Sequence, residues 1–80
     1  MSKAINKSIE VYVTLLEEGT DTIRSTMAED MGNNTYKLLP TPNYDPENEV
    51  WEFLPGSIVR CEVTNKYRDK NLLLAVEWIR

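Results

Sequence analysis

The chain has no histidine, a single cysteine at Cys61 and only three glycines among its 80 residues. Lack of histidine removes the His-dependent catalytic triads and dyads, and one cysteine cannot form an internal disulfide or build a zinc finger. Gly19, Gly32 and Gly56 stand far apart, so no glycine-rich loop exists to cradle a phosphate. No apolar run approaches the roughly 20 residues needed to span a bilayer. Positive charge is also scarce: nine Lys and Arg face thirteen Asp and Glu, for a net charge of −4 and a pI near 4.7. That balance disfavours long-range attraction to DNA, RNA or an anionic membrane. These absences lead us to expect a protein that is not an enzyme and uses no cofactor and no metal.

What remains fits one soluble globular domain, with 41% hydrophobic and 28% charged residues. The segment Met1-Ser2-Lys3-Ala4-Ile5-Asn6-Lys7 lacks a signal-peptide apolar core, which predicts a cytoplasmic protein with a flexible tail over 1–7. The domain itself is expected over 8–80. Its first clear pattern is Ile9, Val11, Val13 and Leu15 alternating with Glu10, Tyr12, Thr14 and Leu16. Period-two alternation rich in β-branched residues is a strand signature, because a helix would scatter the same positions around its circumference. Glu18-Gly19-Thr20-Asp21 reads as a turn, and Thr22–Met31 reads as a strand with one helical turn near Met27–Met31 as its competitor.

Gly32-Asn33-Asn34 supplies a second turn, since these residues tolerate left-handed backbone angles. Thr35–Leu39, Val50–Leu54, Ile58–Thr64 and Leu72–Ile79 follow as strands, with Pro55-Gly56 as a turn between the second and third of them. The long Pro40–Asn48 segment carries three prolines and cannot sit inside a sheet. Six short strands separated by turn chemistry predict an all-β fold. The expected form is a small antiparallel barrel or meander of five to six strands, SH3-like in size. Trp51, Phe53 and Trp78 are expected to anchor its small core, with Cys61 as a buried packing residue.

Three stretches also resemble a group of small uncharacterised bacterial proteins. Val13-Thr14-Leu15-Leu16-Glu17-Glu18-Gly19-Thr20-Asp21 is similar to their opening, and Ala28-Glu29 matches a pair they commonly carry. Glu49-Val50-Trp51-Glu52-Phe53-Leu54-Pro55-Gly56-Ser57-Ile58-Val59-Arg60-Cys61-Glu62 is similar to their most recognisable segment. The chain departs at Ile23-Arg24-Ser25-Thr26, where those proteins tend to have Trp-Arg-Pro-Val. The resemblance implies a small β fold from a bacterium or phage and transfers no catalytic residue.

Candidate chemistry concentrates in the acidic stretch Asp45, Glu47, Glu49 and Glu52. Its spacing superficially suggests a calcium loop, but Val50 and Gly56 stand where such a loop needs Gly and Glu. A solvated acidic surface suits a different task, recognition of a basic patch on another macromolecule. The sequence therefore points to a non-enzymatic protein-interaction module, of which an inhibitor or immunity-type protein masking a basic site is one form. Tyr44 would be its aromatic anchor, with Asp45, Glu47, Glu49 and Glu52 as rim charges. A homo-oligomer formed through a sheet edge fits the same pattern. The alternative is a nucleic-acid-binding barrel using Lys66, Tyr67, Arg68 and Lys70 at a hairpin tip, with Arg60 and Arg80.

Overall fold

The computed structural model describes residues 8–19, 22–66 and 71–80. Among the described residues there are six strands: β1 (Ser8–Leu16), β2 (Thr22–Gly32), β3 (Thr35–Leu38), β4 (Val50–Trp51), β5 (Ile58–Thr64) and β6 (Leu72–Trp78). They form one sheet in the order β2-β3-β5-β6-β1-β4, and an added β1–β2 pairing closes it on itself. The protein is thus a small all-β barrel. The competing helical reading of 22–31 is settled in favour of strand.

The closure follows from parity. Strands β1, β2, β3, β5 and β6 run up and down in turn, each antiparallel to the next. With an odd number in the ring, the first and last must point the same way. The β1–β6 seam is accordingly parallel, through Tyr12 and Leu74. That seam is short because β1 then exchanges partners: Leu15 faces Trp51 and Leu16 faces Val50 of β4. The final residues of β6 are consequently left without β1 beside them.

Turn chemistry sets the register. Asn33 and Asn34 have φ of 57° and 65°, the two left-handed residues of a tight hairpin. A bulge between Asp30 and Gly32 precedes them, with the Asp30 carboxylate accepting the Gly32 N–H at 2.9 Å. At Pro55-Gly56, the Ser57 N–H donates to the Leu54 carbonyl at 3.0 Å, and Gly56 takes a φ of 94°. Pro then Gly at the two central positions is what a type II turn requires.

Inside the barrel, Val11, Ala28, Tyr36, Leu38, Val59, Cys61 and Ala75 form one buried cluster. Val13, Leu15 and Trp51 form another, and Phe53 packs against both. Ala28 and Ala75 suit the tight interior of so small a barrel, where larger side chains would hold the strands apart. Among the described residues, no helix is long and apolar enough to cross a membrane.

Two expectations need correction, at Trp78 and over Val50–Leu54. Trp78 is no core aromatic but 60% exposed, because it lies on the part of β6 that β1 has abandoned for β4. Val63 is also exposed, since β3 accompanies β5 only from Ile58 to Arg60 and the hairpin beyond has one layer. The strand expected over Val50–Leu54 shortens to Val50–Trp51, as the following residues enter the Leu54–Ser57 turn.

Candidate functional site

The segment from Leu39 to Glu49 crosses beside β2 as a strap tied at both ends. At its start, Leu39 N–H donates to the Met27 carbonyl at 3.0 Å, and the buried Thr26 hydroxyl donates to the Leu39 carbonyl. Pro40 and Pro42 then contribute no N–H, so the chain cannot continue as a ladder strand and lifts away. At its end, Glu49 is gripped by two donors. Arg24 Nη2 on β2 donates to Oε2 at 2.6 Å, and the Trp51 indole N–H donates to Oε1 at 3.0 Å. The next tie is Glu52 N–H to the Thr14 carbonyl at 2.8 Å.

Asp45 organises the middle of the strap. Its Oδ1 accepts the Glu47 N–H at 3.0 Å and its Oδ2 accepts Asn48 Nδ2 at 2.7 Å. Its carbonyl also accepts the N–H groups of Asn48 and Glu49. This is the logic of a helix cap: a short polar side chain satisfies free backbone donors, and Pro46 sits where a first-turn residue needs no donor. Tyr44 lies half-buried with its ring 4.9 Å from Trp51 and inclined at 67°, an edge-to-face contact.

The predicted interaction residues therefore divide into two kinds. Tyr44, Asp45 and Glu49 build the strap, whereas Glu47 is exposed on it and Glu52 is exposed just beyond it, after β4. The β1–β4 register adds two acids that sequence reading missed. Leu16 stands opposite Val50, so Glu17 and Glu18, both exposed, leave β1 alongside the end of the strap. Glu17 has a left-handed φ of 63°, unusual for a residue with a Cβ. Nothing in the sequence announces this pairing, because β4 has only two residues.

Hydrogen bonding dominates at Glu49: the indole N–H and then Arg24 hold its carboxyl below the ordinary value of 4.5, against the opposing effect of desolvation. At Cys61, burial pushes the thiol up to about 11, with Arg60 opposing weakly. A thiol so placed is a poor nucleophile at neutral pH. We expect no labelling of the native protein by iodoacetamide at pH 7 and full labelling in urea. Rapid native labelling at Cys61 would show that the thiol is accessible and activated.

Residues 67–70 of the alternative basic site lie outside the described residues. Arg60 is already committed, with Nε donating to Glu77 at 2.7 Å and Nη1 to Glu62 at 2.6 Å. Two carboxylates on one guanidinium leave the locality negative, a poor setting for phosphate. Lys66 and Arg80 are exposed elsewhere. No group of three or more His, Cys, Asp or Glu that could hold a metal occurs among the described residues.

Between the strap and the β1–β2 surface lies an open groove of about 200 Å³, lined by Glu10, Ser25, Met27, Pro40, Thr41 and Pro42 with the edge of Thr26. Glu10 and Met27 face each other directly across the β1–β2 ladder. No family model, curated protein or solved structure matches the chain.

Proposed function

We propose that the protein is a non-enzymatic cytoplasmic interaction module of the inhibitor or immunity type, which binds a protein partner by covering a basic site. One observation carries this reading: the strap is fixed at both ends, Glu47 is exposed on it and Glu52 just after it, Glu17 and Glu18 are exposed where β1 leaves β4, and Arg24 is neutralised by Glu49. A preorganised, single-signed surface speeds encounter with an opposite patch and penalises wrong partners. Tyr44, half-buried with its ring edge-on to Trp51, is the aromatic anchor of this surface.

Self-association through a sheet edge has weaker support. β4 is two residues long, and β6 ends in a bulge where Ile79 and Arg80 both donate to the Ile58 carbonyl. Short, bulged edges are poor templates for strand addition.

The test is retention of a basic protein from native-host extract on the immobilised chain. Retention should fall as salt rises, and Glu47→Lys with Glu52→Lys should weaken it about tenfold or more. Equal retention by this charge-reversed variant would refute the reading. Binding to heparin at low salt, unaffected by the same changes, would favour the nucleic-acid alternative instead.

A further inference from the structure

We infer that the groove beneath the strap receives one aliphatic side chain of the basic partner, from a residue flanked by lysine or arginine. This rests on the interaction reading above and gives it a specific contact. Size is the first argument. A dry cavity of roughly 150 Å³ holds benzene, whereas drug-sized ligands occupy about 300–1,000 Å³. At about 200 Å³, the groove matches a single leucine-sized or methionine-sized group.

The lining matches the same guest. Met27 is 45% exposed in the groove lining, and its unbranched thioether can adjust to an incoming aliphatic chain. Pro40 and Pro42 present ring carbons and no N–H donor. The Thr26 hydroxyl is already spent on the Leu39 carbonyl, which leaves the Ser25 and Thr41 hydroxyls and the Glu10 carboxylate as the polar side-chain groups of the lining. Apolar contact with Met27, Pro40 and Pro42 is the groove's main offer.

Charge then selects the flanks. Among the described lining residues Glu10 alone is charged, and it stands opposite Met27 across the β1–β2 ladder. The adjacent cation on β2, Arg24, is held by Glu49. A lysine or arginine beside the inserted side chain meets the Glu10 carboxylate, and an acidic neighbour meets repulsion.

The test uses the ¹⁵N-labelled full chain and three capped pentapeptide amides, Gly-Lys-Leu-Arg-Gly, Gly-Lys-Ala-Arg-Gly and Gly-Glu-Leu-Glu-Gly. The first should shift the amides of Ser25, Met27 and Thr41 saturably, with a Kd in the range of about 1 mM expected for one small contact. The alanine and acidic peptides should bind at least about tenfold more weakly. Met27→Glu, an exposed position, should abolish the groove shifts while leaving the rest of the spectrum folded, and Ser25→Lys provides a second block. Equal binding by the alanine or acidic peptide overturns the inference. If both basic peptides shift only Glu47 and Glu52, the groove assignment falls and the acidic-surface reading stands. If no peptide shifts any residue, both fall.

Discussion

Replacing Trp51 with alanine is expected to remove about 3–5 kcal/mol of stability, the usual cost of truncating a large buried aromatic. A domain of 80 residues has about 4–12 kcal/mol in total, so this single change consumes a large share or all of it. Trp51 is 2% exposed and packs with Val13 and Leu15, with Tyr44 set edge-on against it. It also carries half of β4, whose two residues have little else to hold them on β1. Trp78→Ala is the matched control. At 60% exposure it should cost under about 1 kcal/mol. Urea unfolding followed by near-ultraviolet circular dichroism measures both. Equal losses at the two positions would contradict the burial assigned to them. Fluorescence gives an independent check: with Trp78→Phe the remaining Trp51 should emit at short wavelength, and with Trp51→Phe the remaining Trp78 should emit as a water-exposed indole.

The contrast between these tryptophans marks where sequence stops being informative. Alternation alone identifies Val11, Val13 and Leu15 as inward, because a strand has only two faces and the turns on either side limit its length. Asn33-Asn34 and Pro55-Gly56 likewise announce their turns through backbone angles that few residues adopt. Face, however, is different from burial. Trp78 lies opposite the buried Val59 and so shares its face, yet it is exposed because the strand that would cover it has turned to β4. That depends on long-range pairing, which no local pattern encodes.

The candidate site was legible only in outline for a related reason. Acidic side chains in and just after a proline-rich loop suggest a charged surface, and Glu47 in the loop and Glu52 after it are exposed. The duty of Asp45 is local, a cap on Glu47 and Asn48 that follows it by two and three residues, whereas Glu49 depends in part on a donor that folding brings to it. For Glu49 the donor Arg24 is 25 residues away in sequence. The groove is equally invisible in sequence, since Glu10, Met27 and Pro42 come from separate segments joined by the β1–β2 pairing and the strap.

Glu49→Ala is expected to cost about 1–3 kcal/mol, because it leaves the Trp51 indole N–H without its acceptor and releases Arg24. The half-exposed Arg24 pairing alone contributes less than about 1 kcal/mol, so Glu49→Gln, which keeps an oxygen for the indole, should cost less than Glu49→Ala. The pH dependence separates charge from hydrogen bonding. Glu49 has a folded pKa below its ordinary value of 4.5, so the unfolded chain takes up its proton first as pH falls. Its ionic contribution is complete at neutral pH, begins to decline near 4.5 and is gone once pH drops below the folded pKa. The melting-temperature gap between the native protein and Glu49→Gln should therefore be widest at pH 7 and close toward pH 2. A gap independent of pH would mean that the carboxylate's charge does not hold the strap. Because the groove and the exposed acids depend on that strap, Glu49→Ala should also blur peptide-induced shifts at Thr41 and Glu47, although its side chain lies outside the groove lining.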